Sequence, residues 1–182
     1  MNYLLRALLL LSFVAFWYII AVAYGFFPQQ HSHIALSIPF IMYLIFSQAF
    51  IMFYFIGVHR LVENVLTALQ SSTQLDTLFD PPFPSDLTPY QKNVNKLFYQ
   101  TNLCKRQTIP WTALILVLGI VAFLLGGAYH TGQVDRMVHV GVVLGFAAAF
   151  CIGFFKQWMY LGRANKYLRE LKELFNISRN TM

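Results

Sequence analysis

Residues 110–129 read PWTALILVLGIVAFLLGGAY, twenty residues without a charged side chain. A helix of about 20 apolar residues is long enough to cross the ~30 Å hydrocarbon core of a bilayer. In lipid the backbone must satisfy its own hydrogen bonds, and an α-helix does so within a single segment. The stretch therefore predicts a transmembrane helix, and this decides the class of fold.

Three further stretches have the same character. They lie at residues 4–27, 36–58 and 137–161, and each carries at most one Lys or Arg and no Asp or Glu. Each is long enough to span a bilayer. The predicted fold is all-α, a single polytopic membrane domain over residues 1–182 with four transmembrane helices.

The composition agrees with a chain whose solvent is mostly lipid. Hydrophobic residues make up 58% of the sequence and charged residues only 11%, whereas soluble domains carry about 25% charged residues. The formal net charge is +6, but the basic residues flank the apolar stretches. They are explained by anionic lipid headgroups rather than by nucleic acid. The expected partners are the lipid bilayer and other membrane-protein subunits.

The basic residues also predict the orientation. Of the 13 Lys and Arg residues, Arg136 alone lies between the third and fourth spans, and none lies between the first and second. Cytoplasmic loops carry the excess of Lys and Arg. We therefore expect both termini in the cytoplasm, in a bacterial inner membrane, with two short outer loops.

Residues 59–109 and 162–182 are predicted to form cytoplasmic helical extensions. Apolar residues recur at helical spacing after the second span, and a loop with a proline-rich centre follows at 71–88. Thr88 and Pro89 resemble the N-cap and first residue of the next helix. We expect the amphipathic tail to extend the fourth helix and pack against the extension of the second.

Two prolines leave helix boundaries open. Pro39 fits a helix that begins at Ser37, after a non-helical entry over His31–Leu36, but it also fits a kinked helix. Pro110 marks either a kink or a fresh start into the third span. The sequence alone does not decide between these alternatives.

Small residues recur along the fourth span at four-residue spacing and are interpreted as one packing face: Gly141, Gly145, Ala149 and Gly153. Small residues let helices approach closely in lipid, where no hydrophobic force drives them together. The favoured partner is the third helix of the same chain. The alternative is a contact with other subunits or with copies of this chain, forming a homo-oligomer.

Four of the five histidines fall where predicted spans meet the outer side: His31, His33, His130 and His139. Imidazole is a common ligand of transition metals and of haem. Helices about 8–10 Å apart can bring such rings together. The candidate ligands of haem b or of a transition metal (Cu, Zn or Fe) are therefore these four histidines, with Asp135 as a further ligand or hydrogen-bond acceptor. Interface packing or capping by the histidines is the alternative.

Two other polar residues have simpler interpretations. Gln48, in the middle of the second span, should form an interhelical hydrogen bond, although contact with a quinone or a haem propionate is a second possibility. His59 follows the second span and is expected to be solvated or bound to lipid phosphate.

The predicted function is that of an integral membrane subunit that binds haem b or a transition metal at its outer face. It would work in electron transport or metal handling within a larger complex. The sequence has no nucleophile elbow and no phosphate-cradling glycine loop. An electron-transfer or non-catalytic subunit is therefore favoured over a stand-alone enzyme. The alternative is a cofactor-free accessory subunit that packs against partner helices or self-associates.

Overall fold

A computed structural model describes residues 2–27, 33–71, 78 and 86–175 of the chain. Within that part the secondary structure consists of four α-helices: α1 (Asn2–Ala23), α2 (His33–Gln70), α3 (Thr88–His130) and α4 (Arg136–Leu174). All four are long and apolar enough to span a membrane. The predicted all-α class with four spanning helices is confirmed, as expected of an integral membrane protein.

The chain divides into two compact units. Unit 1 comprises Met1–Met52 and Thr108–Met159, and unit 2 comprises Phe53–Gln107 and Tyr160–Met182. Three of the four helices contribute to both units, since α2, α3 and α4 are 38, 43 and 39 residues long. The extensions predicted after the second and fourth spans are therefore continuous with the spans themselves.

Two glycines end α1 and α3 in the same way. Gly25 and Gly132 have left-handed φ values of 77° and 75°, which glycine adopts without the steric penalty of a Cβ. The amide of the following residue donates to a carbonyl five residues back, Phe26 to Ala21 and Gln133 to Ala128. These are Schellman caps. The cap at Gly25 ends α1 at Ala23, four residues before the predicted end at Phe27.

The start of α2 corrects another expectation. The helix begins at His33 and includes Pro39 at its seventh position, so a non-helical entry is wrong for residues 33–36. Proline removes one backbone hydrogen bond from the ladder. In apolar surroundings this costs less than leaving a whole turn of backbone unpaired. Helix α3 likewise runs through Pro110 without ending, so no fresh start occurs there.

The side chain that caps the amino terminus of α3 is Asp86, two residues before the predicted cap at Thr88. Thr88 is already the first helical residue, and its amide donates to Oδ1 of Asp86 at 2.9 Å. A carboxylate there satisfies an amide that has no partner within the helix and interacts favourably with the helix dipole. The proline-rich centre predicted at residues 80–84 lies outside the described residues.

Aromatic rings form the core of unit 1. Phe16 of α1 lies edge-to-face against Phe146 and Phe150 of α4, with centroids 5.1 and 5.0 Å apart. Helices α2 and α3 meet where Gly119 faces Leu44, because a Cβ on Gly119 would lie 2.9 Å from Leu44 Cδ2. All four helices therefore pack into one antiparallel bundle in this unit.

A buried amide pair crosses the same bundle. Gln157 Nε2 of α4 donates to Gln48 Oε1 of α2 at 2.6 Å and to the hydroxyl oxygen of Thr112 in α3 at 2.9 Å. All three side chains are fully buried. The predicted interhelical hydrogen bond of Gln48 is confirmed, and its partner is Gln157.

The row of small residues on α4 does not form one face. Ala149 and Gly153 are buried, and Gly153 packs against Ile115 of α3, whereas Gly141 and Gly145 have no neighbouring atom within 4 Å of a built Cβ. The physical reason is geometric. Four residues advance a helix by more than one turn, so the row drifts about 40° per step and about 120° over three steps. The predicted packing within the chain is therefore correct for Ala149 and Gly153 and wrong for Gly141 and Gly145.

Unit 2 has its own apolar core, formed by Val62, Leu69, Val94, Leu97 and Leu171. These residues come from α2, α3 and α4, so the predicted packing of the tail against the extension of the second helix is confirmed. The expectation for His59 is wrong, because only 7% of the residue is exposed. The Thr101 hydroxyl donates to the Leu97 carbonyl at 2.9 Å, and its oxygen lies 3.4 Å from His59 Nδ1.

Candidate functional site

Unit 1 contains a cavity of about 630 Å³ at the end of the bundle where α1 and α3 finish and α2 and α4 begin, here called the histidine end. All four helices line it. Its volume falls in the range of small-molecule sites, about 300–1,000 Å³. The lining is mostly apolar and includes Phe16, Phe40, Phe123 and Phe146.

Three small residues of α3 line this cavity. Gly119, Ala122 and Gly126 lie three and four positions apart, so they share one face of the helix, and all three line the cavity. Larger side chains at these positions would project into the space between the helices. The sequence predicted that α4 packs closely on α3, and two of these residues do face α4. A Cβ on Gly119 would lie 3.3 Å from Phe146 Cε2, and a Cβ on Gly126 would lie 3.2 Å from His139 Cε1.

The polar groups in the lining are few: Ser37, Thr131, Gln133 and His139. Sites for small molecules commonly combine an apolar wall with a few polar groups that fix the orientation of the ligand. Among these four, the imidazole of His139 is the only side chain that readily ligates a metal. The cavity can therefore hold a mainly apolar molecule and offer it a nitrogen ligand.

His139 is held in place from two helices. It is the fourth residue of α4, and its amide lies 3.3 Å from the Asp135 carbonyl oxygen. Its ring is nearly parallel to that of Tyr129 on α3, with a 5.8 Å centroid separation and a 4° interplanar angle. A Cβ on Gly126 would lie 3.2 Å from His139 Cε1. The half-buried ring is thus positioned by α3 as well as by its own helix.

Asp135, the predicted further ligand or hydrogen-bond acceptor, caps a helix in the structure. Its Oδ1 accepts a hydrogen bond from the amide of Met137 at 2.7 Å, which caps the start of α4. The carboxylate is therefore engaged by backbone. Its contribution to His139 is indirect, through the position of the first turn of that helix.

The remaining predicted ligands are not brought to the cavity in the described part of the chain. His130 is exposed at the last position of α3. His33 begins α2, but its side chain lies outside the described residues, as does all of His31. Within the described part, no group of three or more His, Cys, Asp or Glu side chains could hold a metal ion.

Sequence reasoning missed Gln157 and Thr112 as members of the buried polar network. Gln157 lies between Lys156 and Trp158, residue types that are typical of the membrane boundary rather than of a bundle interior. A helix turns about 100° per residue, so adjacent residues face different directions. One signal was present in the sequence. Gln48 in the second span requires a polar partner, and Gln157 is an amide within the predicted fourth span.

Fold and site together define a class, an integral membrane four-helix bundle with a cavity among its helices and an imidazole in the cavity wall. Comparison of the chain with protein-family models, with curated proteins and with solved structures gave no significant match.

Proposed function

We propose that the protein is a membrane subunit that binds haem b in the cavity at the histidine end, with His139 as an axial ligand. It would act as an electron-transfer component of a larger redox complex rather than as a stand-alone enzyme. One observation carries the proposal. His139, the only described side chain of the lining that readily ligates a metal, stands in a mostly apolar cavity lined by all four helices.

Haem is favoured over a bare transition metal because of the number of protein ligands each requires. A Zn, Cu or Fe ion bound by protein alone needs three or four donors. Haem iron needs only one or two axial ligands from the protein. A second ligand could come from His33, because α2 starts at the histidine end and its Ile34 and Ser37 line the cavity.

Each part of the site has a distinct role in this proposal. Bound haem b supplies a one-electron redox couple. Tyr129 and Gly126 hold the imidazole of His139 in position. The phenylalanines that line the cavity would limit the access of water to the porphyrin. Burial in a low-dielectric wall affects the reduction potential of such a group.

The distribution of Lys and Arg along the sequence supports a position of the histidine end on the outer side of the membrane. The sequence places twelve of its 13 basic residues away from the loop that contains Arg136, so the positive-inside rule puts the histidine end outside and both termini in the cytoplasm. In a bacterium this corresponds to the inner membrane.

Haem-to-protein stoichiometry of the purified full-length chain tests the proposal, together with elemental analysis for Fe, Cu and Zn. We expect about one haem per chain and its loss in His139→Ala. The matched control is His59→Ala, which removes a buried histidine from unit 2 and should leave the haem content unchanged. A wild-type chain without haem, or equal haem in His139→Ala, contradicts the proposal.

A cofactor-free accessory subunit is the second candidate, favoured by one observation. Gly141 and Gly145 lie on an exposed part of α4 with open space around them, as expected of a surface that receives another helix. Native mass spectrometry of the wild type and of Gly145→Leu tests it. An oligomer that dissociates in the variant, in a chain that contains no haem, would favour this candidate.

A further inference from the structure

The opposite end of unit 1 carries two cations that lie over tryptophan rings. The Arg6 guanidinium of α1 is 5.0 Å from the ring centroid of Trp158 on α4. The Lys156 ammonium of α4 is 4.9 Å from the ring centroid of Trp111 on α3. The first pair joins α1 to α4, and the second joins α3 to α4. One cation therefore lies at each of these two helix–helix boundaries, here called the seams, at the same end of the bundle.

Unit 1 provides no carboxylate for these cations. The only Asp or Glu within residues 1–52 and 108–159 is Asp135, which caps α4 at the histidine end. The salt bridges among described residues join Lys166 to Glu170 and Arg169 to Glu173, and neither cation takes part. The positive charge at this end is therefore not neutralised within the unit.

Arg6 carries the stronger indication of a missing ligand. The residue is half-buried, and its Nε atom is buried without a hydrogen-bond partner among the described residues. A buried donor without a partner costs free energy, and more so when it is charged. A phosphate that accepts hydrogen bonds from the terminal N–H groups of the guanidinium would compensate the charge, because arginine binds phosphate through paired N–H groups.

The surroundings of Arg6 favour a lipid over a free phosphate. Leu10, four residues further along α1 and on the same face as Arg6, is 49% exposed. Its side chain offers an apolar surface on the side of the helix that carries the cation. Tryptophan is also enriched where a bundle meets the headgroup layer. A ligand with a phosphate and an acyl chain matches both features.

We propose that the Arg6–Trp158 and Lys156–Trp111 pairs bind the phosphate groups of anionic phospholipids, one at each seam. The cations lie at the headgroup level, and the acyl chains lie along the exposed apolar faces of the flanking helices. This site is separate from the cavity at the histidine end and does not depend on the haem proposal.

Thermal unfolding of the full-length chain in detergent, followed by far-UV circular dichroism, tests the proposal with three additives. These are phosphatidylglycerol, phosphatidylcholine and inorganic phosphate. A ligand that binds only the folded state, present at about 100 times its Kd, should raise the Tm by about 5–10 °C in a chain of this size. We expect that rise with phosphatidylglycerol and little with the others. An equal rise with phosphatidylcholine or with inorganic phosphate would overturn the assignment to anionic lipid.

Variants localise the effect. Arg6→Gln and Lys156→Gln should each reduce the shift, and the double variant should abolish it, whereas Arg6→Lys should retain most of it. Arg136→Gln is the matched control, because it removes a cation from the histidine end. If the double variant unfolds, native mass spectrometry of Arg6→Gln gives a second measurement, with fewer retained phosphatidylglycerol molecules expected than in wild type. Retention equal to wild type, or equal loss in Arg136→Gln, would refute the site.

Discussion

The imidazole of His139 occupies the space that a side chain on Gly126 would need. A Cβ built on Gly126 lies 3.2 Å from His139 Cε1 and 3.9 Å from both ring nitrogens. Helix α3 thus sets the position of a ring that belongs to α4. Because Gly126 has no side chain, the His139 ring can lie against α3. Adding one methyl group at position 126 tests this relationship.

Gly126→Ala should displace the His139 ring and weaken haem binding. Substitution of a residue that orients a metal-ligating side chain typically lowers the affinity for the metal group 10–100-fold, and we expect a loss of roughly 10-fold for haem here. Gly127→Ala is the matched control, because a Cβ there meets no atom within 4 Å. Haem titration of the two variants makes the comparison. Equal affinities would show that Gly126 does not position the ring.

The Gln48–Gln157 pair should stabilise the bundle through its hydrogen bonds. Interhelical hydrogen bonds in membranes average about 0.6 kcal/mol and reach about 1.7 kcal/mol. Because Gln157 also donates to Thr112, we expect Gln157→Leu to cost near the upper value and Gln48→Leu less. Unfolding of both single variants and the double variant gives the coupling. Strictly additive losses would mean that the two amides do not stabilise each other.

Thr101→Val should destabilise unit 2, since it removes the hydroxyl that lies against His59. The expected loss is about 1 kcal/mol, the usual net value of a hydrogen bond, with a further cost if Nδ1 is left unpaired. Thr67→Val is the control, because the Thr67 hydroxyl bonds only within its own helix, to the Glu63 carbonyl in an exposed position. The difference in unfolding free energy between the two variants is the quantity to measure. The prediction fails if they are equally stable.

The cap at Asp86 should make stability depend on pH in one direction. Hydrogen bonds from the Thr88 side chain and amide lower the pKa of the Asp86 carboxyl. A lowered folded-state pKa gives stability that is present above the unfolded value of about 3.9 and is lost as the pH falls through the folded value. Wild type should therefore lose stability relative to Asp86→Asn on acidification. A stability difference that stays constant from pH 6 to pH 2 would contradict this.

The number and class of helices could be predicted because length and apolar composition determine them. A run such as residues 110–129 has few alternatives in a bilayer. The ends of the helices depend on individual residues. Gly132 ends α3 close to the predicted position, whereas Gly25 ends α1 earlier, because its left-handed conformation begins the cap inside an apolar run that reads as helix throughout.

Contacts between helices could be predicted only in part. Gln48 had to find a polar partner, but its identity depended on the rotation of α4, which placed Gln157 inward. The same rotation turned Gly141 and Gly145 outward while Gly153 packed on α3. His59 was misjudged because adjacent Arg60 suggested solvent, although the two residues lie about 100° apart around the helix.

The sequence placed the candidate ligands at the end of the bundle where the cavity lies, but it did not predict how they are arranged. The prediction rested on four histidines meeting at one point. In the described residues, His139 lines the cavity and His130 is exposed. The cavity is lined by all four helices, and no local sequence pattern determines the distances between them.

The most direct test of the central claim is the reduced-minus-oxidised absorption spectrum of the purified full-length protein, of His139→Ala, and of His139→Ala with added imidazole. We predict a haem b spectrum in wild type, its loss in the variant, and its return when imidazole enters the vacated space beside Gly126. A wild-type protein without a haem spectrum, or a variant spectrum identical to wild type, would contradict the assignment of His139 as a haem ligand.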